Sequence, residues 1–360
     1  MRVGTSASFA PVVQGEGFRP EPVGLDWLEG DTSTIPPELK APPEADTIET
    51  FFAHQFVRMT AGRLADDVVR LADRWRPDVI VRDTTEYGGA LAAQVLGVAS
   101  AALQVASPSL MTAGVLTEVA VALDEARGRL GLAPDPDLVA LSEELVICFA
   151  PPELHDPSVP LPSGLRSFHP GPVPATAPLP DAILGLGRER PLVYATLGTV
   201  FNDPTYELPF FPSVQAGLHD APVDLLMTVG PNVDPGLLGD QRAGVHVAGY
   251  VSQRAVLERC AVVICHGGYG TLLEAVDAAV PLIVVPFGAD QHINAATIER
   301  LGIGLVIDEE AMTPKVTRAA VDRLIDEGSE HRLRIEALRD AWRPLPGPAE
   351  AADAVLELAR

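Results

Sequence analysis

The residues best suited to chemistry stand close together in the second half of the chain. His266-Gly267-Gly268-Tyr269-Gly270-Thr271 follows the apolar run Ala261-Val262-Val263-Ile264-Cys265 and opens a helical pattern, Thr271-Leu272-Leu273-Glu274-Ala275. Glycines in a strand-to-helix turn let a ligand approach the main chain, and the first helical turn offers N–H groups that favour an anion. A diphosphate gripped by several such amides, a histidine and the Thr271 hydroxyl suits these residue types. The string is not a Walker loop, because no Gly-Lys-Ser/Thr follows, and it does not spell the Gly-x-Gly-x-x-Gly of dinucleotide dehydrogenases. Thr271 and Glu274 also have capping-box spacing, in which both side chains would satisfy helix-start amides instead. Farther on, Pro286-Phe287-Gly288-Ala289-Asp290-Gln291 ends the apolar run Leu282–Val285. Asp290 and Gln291 thus stand at a strand's carboxyl end, with donors and acceptors that suit sugar hydroxyls. Asp290 suits equally well the N-cap of a helix Gln291–Leu301.

These motifs need strands and helices to hold them, and the chain supplies both in alternation. Short apolar runs at 79–81, 98–103 and 145–149 precede a proline-dense stretch, Pro151 to Pro191, with eleven prolines in 41 residues. Runs at 192–197, 224–229, 245–248, 261–265, 282–285 and 304–307 follow it, with helical patterns at 269–279, 291–301 and 315–326 between them. Such alternation predicts parallel sheets covered on both faces, in two α/β domains facing each other across a cleft. The expected division is residues 1–170, a linker at 171–190, a second domain at 191–343 and a terminal segment at 344–360 whose helix, Ala349 to Ala359, returns toward the first domain. The opening, Arg2-Val3-Gly4-Thr5 with a helix from about Ser8, reads as the second strand of a doubly wound domain, with no strand-turn-helix unit before it. The first domain is therefore expected to be incomplete at its N-terminus by about one strand and one helix, about 35–40 residues.

The composition narrows the function classes. Apolar residues make up 47% of 360 and charged residues 21%, enough for two ordinary cores. Lys+Arg 26 against Asp+Glu 49 gives a net charge of −23, which argues against a nucleic-acid binder but permits one local anion site of backbone amides. No apolar run approaches the ~20 residues that span a bilayer, so no membrane partner is expected. Cys148, Cys260 and Cys265 lie in or beside apolar runs and read as reduced thiols of a cytoplasmic protein. Asp135-Pro136-Asp137 spells an Asp-x-Asp metal motif, but it follows Gly131 and a helix in a proline-rich connection and reads as a solvated turn.

The stretch from Gly249 to Asp308 resembles the donor-binding half of the family 1 glycosyltransferases, two-domain enzymes of the GT-B fold with two Rossmann-like domains. The matching text is Tyr250-Val251-Ser252-Gln253, then His266 to Ala275, then Pro286 to Gln291; Thr196-Leu197-Gly198-Thr199 and Val81-Arg82-Asp83-Thr84-Thr85-Glu86 extend the likeness into both halves. The flavour is that of actinobacterial enzymes acting on macrolides, aromatic polyketides and similar natural products. The resemblance implies that Tyr250 borders the nucleotide base, with Val251 and Gln253 near base and ribose. His266, Gly268, Gly270 and Thr271 would hold the diphosphate, bordered by Gly198 and Thr199, and Glu274 would contact the ribose. Asp290 and Gln291 would bind donor-sugar hydroxyls. Ser252 replaces the family's usual proline, which would loosen that loop.

The implied reaction is an inverting transfer from a UDP or dTDP sugar to a hydroxyl of a small hydrophobic acceptor. Charge on the leaving group would be met by helix amides, with no cofactor and no metal. A homodimer is compatible with this reading. The resemblance also implies a histidine base after the first strand, oriented by an aspartate matching Asp83, and that histidine has no counterpart here. A general base contributes about 10²–10⁴-fold, so the alternative is a catalytically impaired nucleotide-sugar-binding or partner-activating homologue. His54, in the helical stretch 47–75, reads as a surface or core residue uncoupled from Asp83. An epimerase of the same architecture fits the Asp290-Gln291 pair less well. The loops 27–46 and 107–117 are expected to shape the acceptor pocket.

Overall fold

The computed structural model describes residues 1–27, 34, 36–37, 47–142, 144–172, 179–199, 210–230, 233–239 and 241–360. Most of the loop 27–46 expected to shape an acceptor pocket lies outside the described residues. The chain forms two compact units: residues 1–149, 156–168 and 346–360 make the first, and 150–155 with 169–345 make the second. The division therefore falls at Phe168/His169. The stretch 171–190, expected as a separate linker, groups with the second unit, and the C-terminal helix Pro348–Leu358 with the first.

In the first unit, β1 (Val3–Thr5) pairs in parallel with β2 (Pro20–Pro22). A separate parallel sheet runs in the order β3 (Val79–Asp83), β4 (Ala99–Leu103), β5 (Leu145–Cys148), β6 (Leu165–Ser167). Among the described residues β1 pairs only with β2 and β3 only with β4. Val81, in the middle of the edge strand β3, is 51% exposed. Against the same sheet, Ala351 and Ala354 of the C-terminal helix pack with Ala101, Leu145, Ile147 and Phe168.

One buried ion pair organises the carboxyl end of β3. Arg82 lies next to the buried carboxylate of Glu144, Nη2 to Oε2 at 2.5 Å, and donates through Nη1 to the carbonyls of Asp83 (2.9 Å) and Glu86 (2.8 Å). A cation that satisfies both a carboxylate and the carbonyls of the following turn fixes where that turn goes. Glu86 in turn accepts from the amides of Gly88 and Gly89 at the start of helix Gly88–Leu96. Burial pushes its carboxyl up to about 7, against the downward pull of those hydrogen bonds and of Arg82.

The second unit is a six-stranded parallel sheet. Its strands are β7 (Leu192–Thr196), β8 (Asp224–Thr228), β9 (Val245–Ala248), β10 (Cys260–Cys265), β11 (Leu282–Val284) and β12 (Gly304–Val306). Their order is β12-β11-β10-β7-β8-β9. β7, β8 and β11 are buried along their whole length, as strands covered by helices on both faces must be. Residues such as Val193, Leu225, Val262 and Ile283 meet Phe210, Val214 and Val321 from the covering helices in one core. The order reverses between β7 and β10, and in open sheets of this kind ligands bind outside the carboxyl ends of the strands at that switch point. The residues immediately after those two strands are Leu197-Gly198-Thr199 and His266-Gly267-Gly268.

Two outcomes follow for the first unit. Glu144→Ala leaves Arg82 buried without its carboxylate and is expected to cost about 3–5 kcal/mol in urea unfolding; a loss below 1 kcal/mol would contradict the role given to the pair. Because the folded state holds the Glu86 proton more tightly than the unfolded chain, its contribution to stability is complete below pH 4.5 and is lost as pH rises through about 7. Glu86→Gln keeps a neutral cap, so its stability relative to wild type should improve steadily from pH 4.5 to 8. A difference that stays constant over that range would refute the buried-carboxyl account.

Candidate functional site

His266 sits at the end of β10 with its imidazole pressed between two glycines. A Cβ built on Gly198, whose φ is +70°, would lie 2.8 Å from the ring's Cε1, and one on Gly268 would overlap Nε2. Gly267, at φ +89°, turns the chain with Val284 where its Cβ would be. The imidazole is buried and hydrogen-bonded to the main chain of Thr196, and burial pulls its pKa down to about 4. It is therefore a neutral group at pH 7, and the charge of an anion at this turn falls to main-chain amides.

Those amides begin the helix Tyr269–Ala278. Its N-cap is Gly268, with no side-chain cap hydrogen bond. The capping-box alternative for Thr271 and Glu274 is thus overturned, because both side chains turn to Gln253. Thr271 Oγ1 donates to Gln253 Oε1 at 3.3 Å, and Gln253 Nε2 donates to Glu274 Oε2 at 2.9 Å. Burial raises the Glu274 pKa, while the Gln253 hydrogen bond and Arg254 lower it. Gly270 differs from the other glycines of the motif: it is exposed, and a Cβ there would meet nothing within 4 Å. Packing within the protein requires Gly267 and Gly268 but not Gly270.

Beside this helix stands Tyr250, 66% exposed, followed by buried Val251 and by Ser252, the N-cap of helix Gln253–Leu257. Ser252 has φ −63°, the angle a proline ring would impose, so the turn keeps a proline-compatible conformation with serine in it. Arg254, next in the chain to Gln253, pairs with the buried Asp277 at 2.6 Å. Asp277 also bonds His169 Nε2 at 3.3 Å, while His169 Nδ1 accepts from the amide of Gly171 at 3.0 Å. A ring whose Nδ1 accepts carries its proton on Nε2, so His169 donates to Asp277. The network holds the Gln253 helix against the Tyr269–Ala278 helix.

The turn after β11 is folded around Gln291. Its Oε1 accepts from the amides of Phe287 (2.8 Å) and Gly288 (3.2 Å), and the residue is 1% exposed. That corrects the view of Gln291 as a freely presented pair of polar groups: its oxygen belongs to its own loop, and only Nε2 remains for a ligand. Asp290 is the helix N-cap by position but makes no side-chain cap bond. Its carboxylate accepts from Asn294 Nδ2 at 3.1 Å, and the same nitrogen reaches the carbonyl of Gly267 at 2.8 Å. Asn294 was not singled out in the sequence, although its place four residues after Asp290 puts both on one helix face.

In the first unit, Asp83 ends β3 and its Oδ1 accepts from both the amide and the hydroxyl of Thr85, each at 2.6 Å. Among the described residues no hydrogen bond links His54 to it. Asp135 accepts from the amides of Val139 (2.9 Å) and Ala140 (3.0 Å) and so caps the turn that it opens.

Residues 223–358 match the family model of the erythromycin biosynthesis protein CIII-like C-terminal domain. The elloramycin glycosyltransferase ElmGT of Streptomyces olivaceus is 31% identical over 299 residues, 81% of this chain and 71% of the relative. The glycosyltransferase SnogD from Streptomyces nogalater superposes with a TM-score of 0.79 at 26% identity, covering 100% of this chain and 91% of that one. The glycosyltransferase VinC, solved in complex with dTDP, shares the fold with a TM-score of 0.76 at 23% identity over 99% of this chain and 92% of its own. The chain is a glycosyltransferase and belongs to the family 1 enzymes of the GT-B fold.

Proposed function

We propose that this enzyme transfers a sugar, with inversion and without a metal, from a UDP or dTDP donor to a hydroxyl of a small lipophilic natural product. The observation that carries the reading is the start of helix Tyr269–Ala278: no side chain caps it, Gly270 opens onto free space, and Gln253 draws Thr271 and Glu274 together beside it. The diphosphate would lie over those amides, with Thr271 and the His266 turn against it and Gly198 and Thr199 at its border. Exposed Tyr250 would stack on the base, Val251 and Gln253 would flank base and ribose, and Glu274 would take a ribose hydroxyl. Asp290 and the Nε2 amide of Gln291 would bind hydroxyls of the transferred sugar. The acceptor oxygen would then form its bond to the anomeric carbon as the bond to diphosphate breaks, its proton leaving to solvent. The preset helix amides stabilise the departing charge. Binding of dTDP by VinC supports the donor class. No described helix is long and apolar enough to cross a membrane. The three cysteines are buried and free, as in a reducing compartment, and we place the enzyme in the cytoplasm.

A second reading is a nucleotide-sugar-binding or partner-activating homologue with little turnover. One observation favours it: among the described residues no histidine bonds Asp83, whose Oδ1 is taken by Thr85. Release of nucleoside diphosphate from a panel of dTDP and UDP sugars, with lipophilic hydroxyl acceptors, separates the two. The first reading expects acceptor-dependent release; the second expects binding without it.

The two kinds of glycine test the donor site itself. Gly270→Ala adds a methyl group to open space in a helix, so the fold should gain up to about 1 kcal/mol, while affinity for dTDP and UDP should fall at least tenfold by calorimetry. Gly268→Ala drives a Cβ into His266 and should lower both stability and affinity. A Gly270→Ala protein that binds nucleoside diphosphates as well as wild type would remove the diphosphate from this helix start.

A further inference from the structure

Beneath the Gly198 turn lies a cluster of three buried hydroxyls. Tyr194 and Thr196 share one face of β7, and Thr228 is the partner of Thr196 in the register of β8. All three are at most 5% exposed. Tyr194 Oη lies 2.8 Å from Thr228 Oγ1, Thr228 Oγ1 donates to Thr196 Oγ1 at 2.9 Å, and the amide of Gly198 donates to Thr196 Oγ1 at 3.1 Å. A hydroxyl carries one proton. Thr228 gives its proton to Thr196 and so accepts from Tyr194, whose hydroxyl also lies in hydrogen-bonding reach of Thr196, so that the three hydroxyls form one buried cluster.

The cluster ends on the donor turn. With Thr228 donating to it, Thr196 Oγ1 is held as the acceptor that fixes the Gly198 amide. Gly198 lies directly against the His266 ring, and the Thr196 main chain bonds that same imidazole. Apolar side chains would fill this space with no buried polar group to satisfy, so packing alone does not call for three hydroxyls together.

We propose that Tyr194 and Thr228 are positioning residues of the transferase reaction: through Thr196 they set the Gly198 turn and the His266 ring at the spacing the donor diphosphate requires. This rests on the donor-site reading above and extends it to two residues that touch no ligand.

The variants are Thr228→Val, which keeps the shape and removes the hydroxyl, Thr228→Ser, which restores it, and Tyr194→Phe. Calorimetry with dTDP and UDP, steady-state rates with a donor sugar and thermal melting are measured on each. Thr228→Val should weaken nucleoside diphosphate binding and raise the donor KM five- to twentyfold, with kcat changed less than threefold. Thr228→Ser should return both to within twofold of wild type, and Tyr194→Phe should fall between. With the histidines ¹⁵N-labelled, the His266 imidazole signals should shift in Thr228→Val and not in Thr228→Ser. Wild-type affinity in a folded Thr228→Val protein overturns the proposal, as does an equal loss in the Val and Ser variants, which marks a packing role. Should Thr228→Val fail to fold, wild-type binding by Tyr194→Phe overturns it equally. Failure of the wild-type protein to bind either nucleotide refutes the donor site itself, and the proposal with it.

Discussion

An imidazole can lie across the ends of two neighbouring strands only where no Cβ stands in its way. Gly198 after β7 and Gly268 after β10 meet that condition on opposite sides of His266. The rest of the donor turn depends on this packing. The ring occupies the switch point of the sheet, its burial keeps it neutral, and its main-chain partner is the residue that also anchors the Gly198 amide. With the ring in place, the chain after Gly268 enters its helix without a side-chain cap, and the proposed anion site would be made of peptide groups already in position.

The two units solve the problem of strand-end turns by different means. In the second, neutral groups hold the turns themselves, hydroxyls beneath Gly198 and the amides of Gln253, Gln291 and Asn294 around the helix starts, while the Arg254–Asp277 pair ties the helices behind them. In the first, a charged pair does it, with Arg82 spread over Glu144 and the carbonyls that follow Asp83. Buried ion pairs recover their desolvation cost only when every donor is used, and the guanidinium here meets both a carboxylate and the turn. The same turn carries Glu86, whose raised pKa makes the first unit lose stability as pH rises toward 7, whereas the buried His266 of the second, held well below its ordinary value, makes that unit lose stability as pH falls.

Much of the second unit was readable in the sequence because parallel strands covered on both faces must be continuous apolar runs, and the runs at 192–197, 224–229 and 261–265 are such runs. β2 and β6 were not readable. Each has three residues, β2 is Pro20-Glu21-Pro22, and β6 falls in the proline-dense stretch; both are edge strands, where a missing amide donor is tolerated. At the site, residue types and spacing identified the His266–Thr271 turn, but they left Glu274 and Asp290 between ligand contact and helix capping. Spacing within a helix could not reveal that Gln253, 21 residues before Glu274, competes for its carboxylate. Nor could it reveal that Gln291 folds its oxygen back on its own loop, or that Arg82 holds the turn after β3. Each of these depends on a partner that only the folded chain brings near.

The overall charge gives the last constraint on how this site can hold an anion. At −23 the molecule repels a diphosphate at long range, although at physiological ionic strength that repulsion is screened over about 8 Å. Recognition must therefore come from groups in contact. The guanidinium next to the site, that of Arg254, is already paired with Asp277, and Asp277 is shared with His169. His266 is neutral. What remains is the field of a helix start, which is short-ranged, directional and independent of the net charge of the surface around it. On the proposed reading, an acidic enzyme that binds through main-chain amides would lose little affinity to its own charge, and it would select ligands by the fit of a diphosphate to Gly270 rather than by general attraction to phosphate.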